Sequence, residues 1–397
     1  MSSLLEVVKT INKSWKEETL KPASIIQPAK TFSMGTLSAD FALGGGIPLG
    51  FIITFAGENS SGKSLAACQA IAEYQKVYPD RPCVYVDIER TLDVSLNYFA
   101  HITGMLTDEK HLYSYDGSGK SAEQIYADII AMQEADNIGL IVLDSVSTLV
   151  SEADMSTEFV KDNGMRASVA KATGKFLRAM NPLLGKSKKN SLIIINHINV
   201  EVGFGGALKY TEPGGKMLRY MPSLKVRFAN RKYSLGDKLD LSESKSDDAD
   251  GIVLKFMVTK NRMNRLRNGT QIVYRYETGL DIVTDTVQVI TTYEIARNYK
   301  GITWTLVEPG TDIILRDKDT NEELSFAGKN KLRDYLEKHQ DFLMEYNKKI
   351  SDYINHTGKS ISLMDEKTAN ELLKIEDETS KDSTDKEDKK NTDTKGE

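Results

Sequence analysis

The sequence has little of several features that would narrow its class. Two cysteines in 397 residues, Cys68 and Cys83, cannot build a disulfide framework, so a reducing compartment is expected. No run approaches the ~18 uninterrupted apolar residues of a membrane-spanning helix, and the N-terminus lacks a basic region followed by an apolar core. Lys and Arg number 52 against 57 Asp and Glu, so any nucleic-acid contact requires a local basic patch. These absences predict a cytoplasmic protein with no membrane partner.

The composition that is present indicates an ordinary globular chain, 40% hydrophobic and long enough for two or three domains. Residues 1–30 combine an amphipathic helix with a polar tether, which predicts an arm that packs on this domain or on a neighbouring subunit. Residues 31–285 predict an α/β core, and residues 286–356 a small α/β unit. Residues 357–397 predict a largely disordered acidic tail, because positions 376–397 carry nine acids against five lysines.

Short β-branched and apolar runs alternate with helical patterns in the core, which predicts a mostly parallel sheet covered on both faces. The acidic stretch Ser234–Asp250 predicts a loop, and the basic stretch Lys260–Gly269 a turn between two further strands, Ile252–Thr259 and Gln271–Tyr276. The buried strands of the sheet are expected at Phe51–Ala56, Cys83–Asp87, Leu140–Asp144, Leu192–Asn196 and Leu224–Ala229.

The most specific motif is a loop of pattern G-x-x-x-x-G-K-[ST] between an apolar strand and a helical pattern: Gly57, Glu58, Asn59, Ser60, Ser61, Gly62, Lys63 and Ser64. The glycines let the backbone curl so that its amides point at phosphate oxygens, and the helix N-terminus adds its dipole. Lys63 is expected to contact the β- and γ-phosphates of ATP, and the Ser64 hydroxyl to join a Mg²⁺ shell. An accidental turn before a helix is the alternative, which the flanking strand and helix disfavour.

Carboxylates end two of the predicted strands and suggest the rest of an ATPase site. Asp144 follows a buried strand beside the phosphate loop and is expected to orient Mg²⁺ through water, although it could instead cap the next helix. Glu89 is the candidate base that orients the attacking water, with Asp87 as the second candidate for that role. Surface acids at a strand end remain the alternative for both Asp87 and Glu89.

Several further segments, taken with the phosphate loop, resemble the RecA family of homologous recombinases. The resemblance spans most of residues 30–350, and Glu294–Trp304 and Ala327–Asn330 resemble the family's C-terminal domain. It implies a RecA-like P-loop NTPase core with an N-terminal oligomerisation arm. Its departures from the bacterial pattern resemble phage-encoded, UvsX-type members. The matching core segments are Met34–Gly50, Asp87–Asp93, Leu140–Val146, Ile193–His197, Pro213–Tyr220 and Val258–Arg262.

The resemblance assigns further nucleotide contacts. Glu89 corresponds to the family's catalytic glutamate and Asp93 to its adenine-contacting aspartate. The family's proline and stacking tyrosine after that aspartate do not align here, so Tyr98 or Phe99 is the stacking candidate, and either could instead be a core aromatic. His197 stands where the family usually has a glutamine that senses the γ-phosphate; a buried core or loop histidine is the alternative.

Lys260 and Arg262 match family positions that reach the γ-phosphate bound by the neighbouring subunit. Cations there would stabilise transition-state charge as an arginine finger does. A basic hairpin turn that touches DNA is the alternative.

Two segments correspond to the family's DNA-gripping loops, residues 151–165 and 198–215. The second is rich in glycine, which predicts a loop ordered only with a partner. No base-reading pattern is present, as expected of a protein that holds the phosphate backbone. The candidate DNA contacts are Lys171, Lys175 and Arg178 on the helix between the loops, for which a plain solvated face is the alternative, and Lys209, Gly214, Gly215 and Lys216 in the second loop.

The resemblance implies an ATP- and Mg²⁺-dependent recombinase whose subunits form helical filaments on single-stranded DNA and exchange strands with double-stranded DNA. Head-to-tail contacts, with residues 1–30 on the next core, would build such a filament. Single-strand-binding and mediator proteins are further candidate partners, and a phage-encoded copy would act in the host cytoplasm. The alternatives are a hexameric helicase or motor with the same core, and a nucleotide-switched assembly regulator.

Overall fold

Parallel strands with helices between them form the centre of the protein. The computed structural model describes residues 4–16, 19–23, 28–155, 162–202, 208–234, 249–263, 269–292, 303–309 and 312–357. The strands are β1 (Thr31–Phe32), β2 (Ile47–Pro48), β3 (Ile52–Gly57), β4 (Cys83–Asp87), β5 (Leu112–Asp116), β6 (Leu140–Asp144), β7 (Ser191–His197), β8 (Asn199–Val202), β9 (Leu208–Thr211), β10 (Leu224–Tyr233), β11 (Gly251–Asn261), β12 (Thr270–Arg275), β13 (Gly279–Leu280), β14 (Trp304–Pro309), β15 (Ile313–Asp317) and β16 (Glu323–Phe326).

Helices cover both faces of the sheet and extend beyond it at each end of the chain. Among the described residues, no helix combines the length and apolar character needed to cross a membrane. The helices are α1 (Leu4–Trp15), α2 (Leu37–Leu43), α3 (Lys63–Val77), α4 (Thr91–Thr103), α5 (Ala122–Glu134), α6 (Glu152–Met155), α7 (Asp162–Ser187), α8 (Gly215–Tyr220), α9 (Ile282–Thr292), α10 (Lys329–Lys338) and α11 (Gln340–Thr357).

The central sheet has nine strands in the order β13-β12-β11-β10-β3-β7-β6-β4-β5. The six strands from β10 to β5 are mutually parallel, and β11, β12 and β13 are antiparallel. The predicted α/β class with a mostly parallel sheet is therefore confirmed. The five predicted core strands and the two beyond the acidic loop are all present in this sheet, with small shifts at their ends.

Strand β5 was not predicted from the sequence. It lies at the edge of the sheet and carries Leu112 as its one buried residue, with Tyr113 and Ser114 exposed. An edge strand pairs on one side only and needs no apolar run, so its sequence lacks the pattern of the buried strands.

Apolar side chains fill both faces of the sheet. One cluster packs α3 against β3, β10 and β11 and includes Ile53, Phe55 and Phe228. The other packs α5 and α7 against β6 and β7 and includes Ile141, Leu177 and Ile194. Because strands β6 and β7 are buried on both faces, each contains a continuous apolar run that ends at polar residues.

A third apolar cluster joins the core to the C-terminal unit. It combines Phe41 of α2 and Ile290 of α9 with Leu315 of β15, Leu336 of α10 and Ile350 of α11. The three strands β14, β15 and β16 form a separate antiparallel sheet in this unit. The expected domain boundary at 285/286 lies inside α9, so this helix is shared between the two units.

The N-terminal arm contains the expected helix, α1. It has no buried residue, and Leu4 and Trp15 are 76% and 69% exposed. Several apolar side chains of α1 are therefore exposed among the described residues of a single chain.

Several predictions concern segments outside the described residues. These are residues 17–18 and 24–27 of the arm, residues 156–161 of the first expected DNA loop, the glycines at 203–206, the centre of the acidic loop at 235–248, the basic turn at 264–268, residues 293–302 within the stretch that resembles the family's C-terminal domain, and the tail at 358–397. The flanks of the second expected DNA loop are described, and they pair as the hairpin β8–β9 rather than continuing as coil.

Candidate nucleotide site and nucleic-acid face

The phosphate loop connects β3 to α3, as the motif requires. Gly62 has a φ of 89°, and a Cβ there would lie 2.5 Å from Leu254 Cδ1, so glycine is needed both for the turn and for close packing. A Cβ on Gly57 would lie 2.4 Å from Ser61 Oγ. The loop can thus hold its curled shape only with glycine at both positions.

Lys63 occupies the first turn of α3 and is 5% exposed. Its Nζ donates to the carbonyl oxygen of Glu58 at 2.7 Å, folding the lysine over the loop. Burial lowers the pKa of Lys63, and the nearby carboxylates of Asp144 and Glu89 oppose that effect. A buried ammonium group above the loop amides is suited to bind phosphate oxygens.

Ser64 and Asp144 meet across the loop, where Ser64 Oγ donates to Asp144 Oδ2 at 2.8 Å. Tyr85, on the neighbouring strand β4, donates to the same oxygen at 2.6 Å. Asp144 is 1% exposed, and burial raises its pKa against the effect of these two hydrogen bonds. Burial also raises the pKa of Tyr85, so its hydroxyl remains a donor.

Glu89 lies just beyond β4, at the same edge of the sheet. Its Oε1 accepts hydrogen bonds from His197 Nε2 at 2.8 Å and from Ser145 Oγ. The hydrogen bond from His197 is the main reason that the pKa of Glu89 is lowered. Glu89 is thus an ionised carboxylate, which makes His197 Nε2 the donor of this hydrogen bond.

Asp87 has a different environment from Glu89. Its two oxygens accept the backbone N–H groups of Thr91 and Leu92, each at 2.8 Å, at the start of α4. Burial raises its pKa against those bonds. The carboxylate is occupied in holding the first turn of the helix, which favours Glu89 over Asp87 as the base.

The expected adenine contacts lie on α4. Asp93 accepts a hydrogen bond from Arg90 Nε at 2.7 Å on the surface. Tyr98 is 44% exposed, whereas Phe99 is partly buried and packs on the core beside α3. Of the two aromatic candidates, Tyr98 is the more exposed.

The pairing register explains why these groups converge. Gly57 pairs with His197, and Asp87 pairs with Asp144, at the carboxyl ends of four parallel strands. Ligands in open α/β sheets bind at this edge. The structure brings Lys63, Ser64, Glu89, Asp144 and His197 together there.

Lys260 and Arg262 lie at the opposite end of the parallel strands, where β10 begins. Both donate to the carbonyl oxygen of Tyr220, at 2.7 Å and 2.6 Å, where α8 ends. Lys260 pairs with Lys225, which in turn pairs with Thr54 near the start of β3. The phosphate loop begins at Gly57, about 10 Å beyond Thr54 along β3 at roughly 3.3 Å per residue. Strand β3 is also two strands away from β11, which carries Lys260. The two cations are therefore not part of the nucleotide site of their own chain.

The expected DNA contacts on α7 share one face. Lys171, Lys175 and Arg178 are exposed, whereas Ala172 and Phe176 are buried against the sheet. Helix α8 packs beside α7, because a Cβ on Gly215 would lie 2.7 Å from that of Ala170. Gly214 and Gly215, both with positive φ, begin α8, and Lys216 is exposed on it. Lys209 lies on β9, and its side chain is outside the described part.

Two side chains in the site, Tyr85 and Ser145, were not predicted from the sequence. Tyr85 stands inside an apolar strand, where periodicity cannot show which neighbouring strand its hydroxyl meets. Ser145 directly follows Asp144 in the motif strand, and that adjacency was the available signal. Both contact carboxylates of the predicted site.

The chain is similar in sequence to the proteins of one known family. A family model described as the RecA N-terminal domain matches residues 3–281. Protein RecA of Mycoplasma mobile is 33% identical over 317 residues, which is 79% of this chain and 84% of the relative. Protein RecA of Mesoplasma florum is 27% identical over 349 residues, covering 86% and 92%. Protein RecA of Mycoplasma mycoides subsp. mycoides is 30% identical over 268 residues, covering 67% and 71%. The chain belongs to the RecA family of ATP-dependent DNA recombinases.

Proposed function

We propose that this chain is a recombinase in which ATP is held at the junction of two subunits and controls their grip on single-stranded DNA. The observation that carries the proposal is the separation of two sets of groups. The phosphate loop, Glu89 and His197 lie at one edge of the parallel strands, and Lys260 and Arg262 at the other. Head-to-tail stacking would bring the second set of one subunit to the first set of the next.

The residues at the loop suit a magnesium-bound nucleotide. Among the described residues, no cluster of three or more His, Cys, Asp or Glu side chains could form a metal cage of its own. Mg²⁺ takes few protein oxygens and relies on phosphates and water for the rest, and Ser64 and Asp144 offer such oxygens. When bound, the ion would neutralise phosphate charge.

Glu89 would act as the base in hydrolysis. Its ionised carboxylate accepts the proton of the attacking water, while Lys63 stabilises charge on the phosphate oxygens. Its Oε1 is occupied by His197 and Ser145, which leaves Oε2 for water. The products are ADP and inorganic phosphate.

Lys260 and Arg262 would complete the site from the neighbouring subunit. Their present partner, the Tyr220 carbonyl, is a neutral acceptor that they can exchange for phosphate oxygens. Burial and the neighbouring cations Arg262 and Lys225 lower the pKa of Lys260, as expected of clustered positive charge. An anion placed among these groups would relieve that repulsion.

Single-stranded DNA would bind along α7 and the start of α8, with the helical cations Lys171, Lys175 and Arg178 on the phosphates. Loss of the γ-phosphate would remove the contacts to Lys260, Arg262 and His197 and loosen the filament. Before hydrolysis, in the ATP-bound filament, double-stranded DNA would pair with the bound strand through its exposed bases. Single-strand-binding and mediator proteins would act at loading.

The direct experiment measures ATP hydrolysis with and without single-stranded DNA and images the same sample by negative-stain microscopy. Stimulated hydrolysis with helical filaments is the expected result. Closed rings would indicate a helicase-like motor instead. DNA-independent hydrolysis by isolated monomers would overturn the proposal.

A further inference from the structure

Tyr85 is the one polar side chain inside β4 ahead of its terminal carboxylate. It is 0% exposed, and its ring lies in the apolar cluster that also holds Cys68, Ile53 and Phe55. A phenylalanine would fill the same space. A buried hydroxyl costs free energy unless it forms a hydrogen bond, so its partner is informative.

That partner is Asp144. The Tyr85 hydroxyl donates to Asp144 Oδ2 at 2.6 Å across the boundary between β4 and β6. The strands are in register there, with Tyr85 beside Val142 and Asp87 beside Asp144. The phenol thus reaches toward the end of the neighbouring strand, where the candidate metal site lies.

Both donors to the Asp144 side chain meet the same oxygen. Ser64 Oγ also donates to Oδ2, at 2.8 Å. Oδ1 takes part in none of the side-chain hydrogen bonds found in the described portion of the chain. Two donors on one oxygen restrict the rotation of a carboxylate more than one donor does. They also leave the other oxygen, Oδ1, available to a further ligand.

We propose that Tyr85 is a positioning residue for the metal-binding carboxylate: its hydroxyl holds Asp144 so that Oδ1 is presented to the hydrated Mg²⁺ of the bound nucleotide. This inference rests on the proposed function, in which Ser64 and Asp144 serve Mg²⁺. Ser64 alone would leave the carboxylate free to turn, because the serine is itself expected to bind the ion. Tyr85 comes from a strand outside the phosphate loop and is not itself expected to bind the ion.

The test is the Mg²⁺ dependence of nucleotide affinity in Tyr85→Phe, which removes one oxygen from the side chain. Binding of a fluorescent ATP analogue is measured over a series of free Mg²⁺ concentrations and in EDTA. The free Mg²⁺ concentration that gives half of the affinity gain should rise about 10-fold, the lower end of the loss typical for groups that orient metal ligands. Affinity in EDTA should stay unchanged.

Tyr74→Phe is the matched control. Tyr74 is also 0% exposed, and its hydroxyl donates to the Lys189 carbonyl at 2.9 Å, away from the phosphate loop. This variant should keep the Mg²⁺ midpoint of the wild type. Thermal melting of both variants shows that each is folded, and it separates a general loss of stability from a change at the metal site.

The outcomes separate this inference from the proposed function. A wild-type protein whose nucleotide affinity ignores Mg²⁺ would contradict the metal role of Ser64 and Asp144. A Mg²⁺-dependent wild type with an unshifted midpoint in Tyr85→Phe would overturn the positioning role alone. So would a loss of affinity that is equal with Mg²⁺ and in EDTA.

Discussion

His197 Nε2 lies 2.8 Å from Glu89 Oε1, so the candidate γ-phosphate sensor and the candidate base are hydrogen-bonded to each other. A γ-phosphate that draws the His197 N–H to itself would release one of the two donors on Glu89 Oε1. The carboxylate would then be held by Ser145 alone. This contact would link recognition of the terminal phosphate to the freedom of the base that orients water.

Replacing the base should abolish turnover without abolishing binding. Glu89→Gln keeps the shape of the side chain but cannot accept a proton, so DNA-stimulated hydrolysis should fall about 10²–10⁴-fold. Affinity for a fluorescent ATP analogue should stay within a few-fold of wild type. Glu109→Gln, which changes an exposed acid in a surface turn, should leave both quantities unchanged. Retained turnover in Glu89→Gln would assign the base elsewhere.

The pH at which activity is lost on the acidic side of the pH–rate profile should depend on the hydrogen bond between His197 and Glu89. The pKa of Glu89 is lowered chiefly by the His197 hydrogen bond, so the active carboxylate persists to low pH and is lost as pH falls through that lowered pKa. His197→Ala removes the donor, the Glu89 pKa rises, and activity should be lost at a higher pH. His197→Gln retains an N–H donor and should keep this pH closer to the wild-type value. The same pH of activity loss in all three proteins would contradict the contact.

The exposed cations of α7 should contribute to DNA affinity through phosphates. Lys175→Ala should weaken binding to single strands of any sequence and reduce the slope of log K against log salt by about 1. The matched control is Lys186→Ala, an exposed lysine in the last turn of the same helix. Fluorescence anisotropy across a salt series measures both variants. Equal slopes for Lys175→Ala and wild type would show that this face does not hold the strand.

The buried carboxyl groups of Asp40 on α2 and Asp285 on α9 lie near the contact between the core and the C-terminal unit. They should make the free energy of unfolding depend on pH. Burial raises the pKa of Asp40 to about 7 and that of Asp285 to about 6. The folded state therefore binds protons on these carboxyls more tightly than the unfolded state. The resulting contribution to the free energy of unfolding is fully present below about pH 4. It is lost as pH rises to 7, and for Asp40 it is on the order of 4 kcal/mol.

Asp40→Asn should remove the share of that pH dependence that comes from Asp40. An asparagine can still accept from the Met34 amide and contact Ser33, so the fold is retained. In urea unfolding, the stability of Asp40→Asn relative to wild type should rise steadily from pH 4 to about pH 7 and then level off. Asp80→Asn, an exposed site, should show a constant difference. A constant difference for Asp40→Asn as well would show that the carboxyl titrates normally.

The sequence predicted the convergence of the site because parallel strands place their carboxyl ends at one edge. Asp144 and Glu89 stand at or just after the ends of apolar runs, and that position predicted them beside the phosphate loop, whereas His197 was assigned through the family resemblance. The difference in exposure between Tyr98 and Phe99 could not be predicted, because both lie on α4 and only the structure shows that Phe99 is partly buried against the core.

Other features were beyond sequence patterns for identifiable reasons. Strand β5 is polar because it lies at an edge of the sheet, where a strand needs no continuous apolar run. The hydroxyl of Tyr85 meets a carboxylate 59 positions away, a pairing that depends on strand order. The sequence of α9 has the pattern of one amphipathic helix. It does not show that the apolar side chains of this helix pack against both the core and the C-terminal unit.

The central claim, that the catalytic groups come from two subunits, is tested by mixing two inactive variants. Glu89→Gln lacks the base but retains Lys260 and Arg262, whereas Lys260→Ala/Arg262→Ala retains the base and lacks the cations. In a random 1:1 filament, about a quarter of the junctions combine an intact base with intact cations. Hydrolysis on single-stranded DNA should therefore recover to about a quarter of the wild-type rate when such junctions form. A mixture no more active than its components would contradict the account.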